Sequence, residues 1–231
     1  MKIDSQRTRT TFGRTVRVCL ALLALLVLVL LAASVVGSEH LPLSSSLCSV
    51  FSGGSAGCNL TEQQRAILWE IRLPRILLAA SVGASLAAAG AGYQALLRNP
   101  LAEPYLLGVS NGAAVGTMMA LVFFSSFEWT RPVMAFAGAI AATFLVYRLA
   151  RGRAGASPER LILAGVIVTT FLSSAIVFIT TLMDATRVRS FTFWLLGDLS
   201  GTTSGLLWIA LIASLAGALV MTLHSRSLNL L

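Results

Sequence analysis

The segment RNPLAEPYLLGVSNG, Arg98 to Gly112, is a polar interruption between two apolar runs. Proline disfavours helix in the residue before it, so Asn99-Pro100 ends one apolar helix and Glu103-Pro104 begins the next. Proline suits a first helical turn, and a Glu103 carboxylate at this place meets the positive end of the helix dipole. The segment therefore predicts a tight turn between two helices, made by Asn99, Pro100, Glu103 and Pro104.

The composition identifies the class of protein. The chain has 231 residues, of which 56% are hydrophobic and 11% charged, and its mean hydropathy is +0.84. A soluble domain is about one quarter charged, so this chain is an integral membrane protein. Its net charge of +8 is spread between apolar runs with few aromatic residues nearby, which argues against a nucleic-acid partner.

Six runs are close to the ~20 apolar residues that a helix needs to cross a ~30 Å hydrocarbon core. We predict an all-α fold, a polytopic transmembrane helical bundle of about six spans. A basic tail at 1–17 precedes the first span, and an outer loop at 37–75 follows it. The first run exceeds the roughly 7–15 apolar residues of a signal peptide, so we interpret it as an uncleaved span. The spans lie near 18–36, 76–97, 105–124, 132–149, 161–183 and 206–223.

Lysine and arginine positions place the N-terminus in the cytoplasm. In this orientation eleven of the 17 basic residues lie inside, which agrees with the positive-inside rule. Arg72 and Arg75 are exceptions, because they lie on the outer side beside the second span. The predicted location is the inner (plasma) membrane, with several passes.

Cys48 and Cys58 lie in the predicted outer loop, where thiols can oxidise. A disulfide between them is plausible, but two cysteines alone are a thin pattern, so free thiols remain the alternative.

Sequence signatures of catalysis are missing. The chain has no GxxxxGK[ST] phosphate-binding loop and no HExxH metal motif, and its two histidines, His40 and His224, fall on opposite sides of the membrane. No predicted span has an ionisable residue near its centre, which disfavours a proton- or ion-coupled secondary carrier. We therefore predict no catalytic residue, no metal site and no cofactor.

Small residues recur in the helix that follows the turn. Gly108, Gly112 and Gly116 repeat every four residues and share one helix face. In lipid such a stripe lets a neighbouring helix approach closely. Taken by itself, the segment is explained by a tight cytoplasmic turn followed by ordinary helix packing.

Four segments, in order, resemble the permease subunits of ABC importers for iron-siderophore, haem and cobalamin. They are RLPR (Arg72–Arg75), YQALLRNPLAEPYLLGVSNGAAVG (Tyr93–Gly116), LILAGVIVTTFLSS (Leu161–Ser174) and FWLLGDLSG (Phe193–Gly201). The similarity covers residues 65 to 231. It implies a transport subunit that has no ATPase motif of its own.

The resemblance also implies the partners. Two permease subunits, identical or related, would form the pore, and ATP-binding subunits would attach on the cytoplasmic side. An extracytoplasmic substrate-binding protein would deliver a ferric siderophore or related metal chelate. Arg72 and Arg75 would form salt bridges with glutamates of that binding protein, with anchoring at lipid headgroups as the alternative.

Pore and coupling residues follow from the same resemblance. The fifth span would line the pore with Thr169, Thr170, Ser173 and Ser174, although such hydroxyls also bond to their own backbone. SRSLNLL (Ser225–Leu231) resembles the start of the loop that receives the ATPase movement, which assigns coupling to Ser227, Leu228, Asn229 and Leu230.

The family has about ten spans with internal repetition, and this chain has about six. The resemblance therefore predicts a truncated product, one part of a split subunit or a partial sequence. Such a chain would not transport alone, and a non-transporting membrane remnant is the alternative function.

Overall fold

The computed structural model describes residues 12–37, 39, 41–53, 58–124, 129–152 and 155–229. These residues form helices and one short β-hairpin, which confirms the predicted all-α class. Within this described part, five helices are long and apolar enough to cross a membrane: Gly13–Val35, Glu62–Leu97, Thr130–Ala150, Pro158–Leu182 and Ser204–Leu223.

The elements follow in chain order. They are α1 (Phe12–Val35), α2 (Leu43–Phe51), α3 (Glu62–Ala66), a π-helical turn (Ile67–Arg72), α4 (Leu73–Leu97), a 3₁₀ turn (Pro104–Leu107), α5 (Val109–Phe123), α6 (Thr130–Ala150), β1 (Arg151–Gly152), β2 (Gly155–Ala156), α7 (Pro158–Leu182), α8 (Ala185–Leu196), α9 (Ser204–Leu223) and α10 (Ser225–Asn229). The two strands pair antiparallel, with Arg151 opposite Ala156.

The chain divides into two compact units, Met1–Ala79 with Thr202–Leu207 and Ala80–Gly201 with Trp208–Leu231. In the first unit, α1 exposes leucines and valines along most of its length. A helix that is apolar all round satisfies its own backbone and suits contact with lipid. A disulfide joins Cys48 of α2 to Cys58, with 5.6 Å between the two Cα atoms.

The helix that contains the second predicted span begins at Glu62 and not near residue 76. Thr61 starts it with a capping box: the Thr61 hydroxyl accepts from the Gln64 amide, and Gln64 Oε1 accepts from the Thr61 amide, both at 3.2 Å. The helix continues past Pro74 because a π-helical turn precedes the proline, with the Leu73 amide donating to Leu68 O. Much of the predicted outer loop is therefore helical.

The third predicted span, at 105–124, is shorter as a helix than expected. Residues Pro104–Leu107 form a 3₁₀ turn, Gly108 follows at φ +75°, and α5 then has only 15 residues. The left-handed conformation at Gly108 separates the two helical pieces, and glycine adopts it without a steric penalty. Among the described residues, this is the predicted span that falls below the length needed to cross a membrane.

The second unit is built around the contact between α5, α6 and α7. Two apolar clusters are buried there. One joins the turn after α4 to α6 and α7, and the other joins α5 to α8. The first contains Leu97, Ala102, Leu107, Val146, Ala150, Leu161, Ala164 and Val168, and the second contains Ala114, Met118, Leu121 and Phe191.

Serine hydroxyls link α4 to α9 within the same unit. Ser81 Oγ donates to Ala210 O at 3.2 Å, and Ser214 Oγ donates to Ser81 O at 3.3 Å. Small polar side chains of this kind join helices in lipid, where the hydrophobic effect does not drive helices together.

Candidate functional site

The two arginines of the RLPR motif lie in different surroundings. Arg72 is partly buried, and its Nη1 donates to Ser34 O at 3.0 Å and to Val35 O at 2.9 Å. Its Nη2 donates to Glu39 O. Arg75 is exposed. Docking by both residues remains a prediction, but the guanidinium of Arg72 is already engaged within its own chain.

The polypeptide around Arg72 is tied together by polar and covalent links. We call residues 34–37, 39, 41–53 and 58–75 the outer cap. Within it, Trp69 Nε1 donates to Ser49 Oγ at 3.1 Å, and Ser49 is 1% exposed. The Cys48–Cys58 disulfide holds α2 to the segment that leads into α3. The outer cap, which includes Arg75, is therefore held together by hydrogen bonds and a disulfide.

The polar turn after α4 is stabilised by its own side chains. Asn99 Oδ1 accepts from the Leu101 amide at 2.9 Å, and Gln94 Nε2 donates to Pro100 O at 3.1 Å. An asparagine side chain that bonds to the backbone two residues on is a common turn device. Glu103 precedes Pro104 at the start of the 3₁₀ turn, but its side chain makes no capping bond.

The start of α5 lies deep in the second unit. A Cβ at Gly108 would lie 3.5 Å from both Val168 Cγ1 and Thr169 Oγ1, and 4.0 Å from Ala142 Cβ. At ~1.5 Å per residue, Thr169 is about 16 Å from the start of α7, and Ala142 is about 12 Å from the end of α6. In a hydrocarbon core of ~30 Å, α5 therefore begins near the middle. Non-helical backbone at this depth is tolerated because the protein buries it.

Glycines make the close contacts between these helices. A Cβ at Gly112 would lie 3.0 Å from the carbonyl carbon of Gly138, and one at Gly116 would lie 2.8 Å from that of Met134. A Cβ at Gly165 would lie 3.3 Å from the carbonyl carbon of Leu106. Backbone therefore packs on backbone at these points. Gly138 and Gly165 were not among the predicted contact residues, although the spacing of Gly138 and Ala142 is a small-residue signal of the same kind.

Asn111 connects α5 to the helix predicted to line the pore. Its Nδ2 donates to Thr169 O at 2.9 Å and to Ser173 Oγ at 2.7 Å. The Thr169 hydroxyl oxygen is buried and has no hydrogen-bond partner among the described residues. Of the four predicted pore residues, Thr170, Ser173 and Ser174 are exposed and Thr169 is partly covered.

The hydroxyls of the exposed face are largely bonded to their own helix. Thr170 Oγ1 donates to Val166 O at 2.9 Å, and Ser174 Oγ donates to Thr170 O at 3.0 Å. Their protons are used, so these two residues present only acceptor lone pairs outward. The face is weakly polar and carries no charge.

The predicted coupling residues lie at the end of the described chain. Ser227, Leu228 and Asn229 belong to α10, in which the Leu228 amide donates to His224 O at 3.0 Å. Leu230 lies outside the described residues. The described residues contain no group of three or more His, Cys, Asp or Glu side chains that could hold a metal ion.

The sequence of this chain is similar to those of known membrane transport proteins. Residues 24–231 match the FecCD transport family. This chain belongs to that family. A cobalamin import system permease protein BtuC of Halobacterium salinarum is 38% identical over 170 residues, which cover 74% of this chain and 46% of that protein. Vitamin B12 import system permease proteins BtuC of Klebsiella pneumoniae and Escherichia coli are 39% and 36% identical, covering 80% and 83% of this chain.

A solved structure gives the same result for the fold. The inward-facing conformation of a metal-chelate type ABC transporter superposes with a TM-score of 0.77 and 25% identity, covering 93% of this chain and 64% of that chain. The chain spans about half the length of the curated relatives it matches, with 46%, 56% and 58% of their residues covered. As a member of this family, the protein is a multi-pass protein of the inner membrane.

Proposed function

We propose that this chain is the permease part of an ABC importer that conducts a bulky metal chelate into the cell, with energy from a separate ATPase. The observation that carries the proposal is the 36–39% identity to cobalamin and vitamin B12 permeases over 74–83% of the chain. These relatives favour a cobalt corrinoid such as vitamin B12 over a ferric siderophore as the cargo.

The exposed face of α7 supports conduction of such a cargo. Thr170 and Ser174 present weak acceptors, and Ser173 shares its hydroxyl with Asn111. Conduction requires that a site binds its cargo weakly enough to release it. An uncharged wall with weak acceptors meets this requirement for a large chelate, because the ligands of the chelate already coordinate its metal.

Two regions of the chain would receive the partners. The outer cap, with exposed Arg75, would receive the substrate-binding protein, and α10 with the residues after it would receive the ATP-binding subunit. A second permease subunit would complete the pore. These assignments follow from family membership together with the predicted orientation, which places the outer cap outside and α10 inside.

Transport in proteoliposomes tests the proposal. The complete importer that contains this chain is reconstituted with its binding protein, and uptake of radiolabelled cyanocobalamin is compared with uptake of a ferric siderophore. We expect ATP-dependent, saturable uptake of cyanocobalamin that requires the binding protein. Uptake of the siderophore alone would reassign the cargo, and absence of ATP-dependent uptake of any metal chelate would overturn the importer proposal.

A further inference from the structure

Three arginines lie at one end of the second unit. Arg98 follows α4, Arg151 follows α6, and Arg160 lies in the first turn of α7. Each is the chain neighbour of a residue in one buried apolar cluster. Those neighbours are Leu97, Ala150 and Leu161. The packing of this cluster therefore brings three separate parts of the chain, each with an arginine, to the same end of the helices.

Contacts on this surface link the three arginines. A Cβ at Gly152, beside Arg151 in β1, would lie 3.1 Å from Arg160 Cζ and would overlap Arg160 Nη1, so glycine leaves the space that this guanidinium occupies. Arg98 interacts electrostatically with Glu159, the residue before Arg160. All three arginines are exposed, and among the described residues their guanidinium groups make no hydrogen bond or salt bridge. We call Arg98, Arg151, Gly152, Glu159 and Arg160 the basic patch.

Arg98 occupies a backbone position that favours glycine. Its φ is +49°. Its amide donates to Ala95 O at 3.3 Å, and the Asn99 amide donates to Gln94 O at 3.2 Å. This pair of bonds is a Schellman motif, in which the left-handed residue is usually glycine because a Cβ is unfavourable there. The arginine therefore costs stability at this turn, and what it adds to the surface is a cation.

Apolar side chains adjoin the basic patch. An exposed leucine lies within three residues of each arginine, and these are Leu101, Leu149 and Leu163. Arg148 lies over the ring of Phe144, 5.8 Å from its centroid, and Phe144 is exposed. Arginines beside exposed apolar side chains suit the boundary between lipid headgroups and acyl chains. The predicted orientation places this boundary in the cytoplasmic leaflet, where anionic lipids attract basic residues.

We propose that the basic patch binds the phosphate group of an anionic phospholipid, such as phosphatidylglycerol or cardiolipin. Three cations and one carboxylate leave the patch with a net charge of +2, which an anionic headgroup neutralises. Arginine suits phosphate because its planar fork forms paired hydrogen bonds with two oxygens. A lipid fits better than an acidic protein segment, because its acyl chains also cover the exposed leucines. The inference requires neither the cargo nor the partner subunits of the proposed function.

Lipid titration followed by native mass spectrometry tests the site on the purified chain in detergent. Cardiolipin and phosphatidylglycerol should bind more tightly than phosphatidylcholine with the same acyl chains. Arg151→Gln and Arg160→Gln should each weaken the first bound cardiolipin about fivefold, the share of one basic residue near an anionic lipid surface. Arg131→Gln, exposed at the other end of α6, is the matched control and should leave the affinity unchanged. An equal loss in Arg131→Gln, or equal affinity for phosphatidylcholine, would overturn the proposal.

Two glycine variants distinguish a built site from charge alone. Gly152→Ala changes no charge but displaces the Arg160 guanidinium, so it should weaken cardiolipin binding about as much as Arg160→Gln. Gly217→Ala is its control, because a Cβ at Gly217 meets nothing within 4 Å among the described residues. Arg98→Gly relieves the left-handed residue, so it should lose cardiolipin affinity without a lower midpoint of thermal unfolding. Unchanged affinity in Gly152→Ala or Arg98→Gly would show that the patch is not the site.

Free phosphate and the ATP-binding subunit are the rival occupants. Inorganic phosphate in excess should not displace cardiolipin, because it lacks the acyl chains. If it does displace cardiolipin, the patch is a site for free anions and the lipid assignment is wrong. If the arginine variants keep their cardiolipin affinity but lose the ATP-binding subunit during purification of the complete importer, the patch is a subunit contact and the proposal fails. Absence of transport by that importer would overturn the proposed function and leave the lipid titration valid.

Discussion

The outer cap and the α5–α6–α7 packing hold helices together by opposite means. The outer cap uses directional and covalent links: three bonds from Arg72, one from Trp69 and the Cys48–Cys58 disulfide. The contact between α5 and α6 is made at Gly112, Gly116 and Gly138 by removing side chains, so that backbones touch.

The two kinds of link match the surroundings that we assign to each region, which are water for the outer cap and lipid for the α5–α6–α7 packing. In lipid the tails are as apolar as leucine, so helices associate through close packing and a few polar bonds. Near water, a short α2 has little apolar surface to bury, and specific bonds must fix its place. Breaking each kind of link separately therefore tests the assignment.

Gly112→Leu is expected to have the largest effect. A Cβ at this position would overlap the Gly138 backbone and lie 2.5 Å from Ala142 Cβ, so α5 and α6 must separate. Overpacking a core costs about 1–3 kcal/mol when side chains can adjust, and backbone adjusts less. We expect loss of monodisperse protein in size-exclusion chromatography.

Gly83→Leu is the matched control for this prediction. Gly83 also lies in a predicted span, but a Cβ there meets nothing within 4 Å among the described residues. If both variants purify equally well, the close contact between α5 and α6 is misplaced.

Loss of the disulfide should have the second largest effect. A bond that closes a loop of this length contributes about 3 kcal/mol through the entropy of the unfolded chain, and Cys48 and Cys58 are 10 residues apart. In Cys48→Ser/Cys58→Ser we expect faster hydrogen exchange throughout α2, with α6 unchanged. Cys19→Ser removes the exposed free cysteine and serves as control. Equal exchange in α2 of both variants would contradict the role of the disulfide.

The sequence was sufficient for most of the membrane helices. Helices α6, α7 and α9 begin and end within about three residues of the apolar runs at 132–149, 161–183 and 206–223, whereas α1 begins six residues before the run at 18–36. Length and apolarity alone decide whether a helix can span. The prolines at 100 and 104 located the turn, because they act on the backbone beside them. These are local rules, and they need no knowledge of the neighbouring helices.

The boundaries that the sequence misplaced depend on context. The motif around Pro74 suggests a helix start, and the π-helical turn that carries the helix through it has no clear sequence signal. The capping box at Thr61 and Gln64 could be recognised in the sequence, and it would have located the start of this helix at Glu62. The shortness of α5 could not be predicted from the sequence, since Leu106 and Leu107 are apolar enough for a span, and only the left-handed conformation of Gly108 separates them from α5.

Site residues divide in the same way. Gly112 and Gly116 were recognisable from their spacing, but only the fold shows that they pack against Gly138. The RLPR motif grouped Arg72 with Arg75, whereas the structure shows that Arg72 donates to the last carbonyls of α1. A sequence shows which residues share a helix face, and it does not show which atoms that face will meet.

Asn111→Ala should have a smaller effect, because it removes polar bonds while leaving the glycine contacts intact. The side chain makes two bonds to α7, and bonds between membrane helices average about 0.6 kcal/mol each. We expect a loss of about 1 kcal/mol, seen as a lower midpoint of thermal unfolding. Ser110→Ala, at an exposed neighbouring position, is the control. A loss as large as that in Gly112→Leu would show that the polar bonds, and not the glycines, dominate this region.

Trp69→Phe should have the smallest effect and gives the sharpest test of the outer cap. It removes the bond from Nε1 to Ser49 Oγ, and a single neutral bond contributes about 0.5–1.5 kcal/mol. Phenylalanine has no N–H, and Ser49 is 1% exposed, so its hydroxyl cannot accept from water in place of the indole. Trp69→Phe alone should therefore speed hydrogen exchange in α2, and Trp208→Phe, at a position 64% exposed, should not.

A double variant tests whether Trp69 and Ser49 act together. Adding Ser49→Ala removes the hydroxyl that Trp69→Phe leaves without a donor, so the double variant should lose less stability than the sum of the two single variants. Additive losses would mean that the two side chains act independently and that the bond between them does not hold α2 in place.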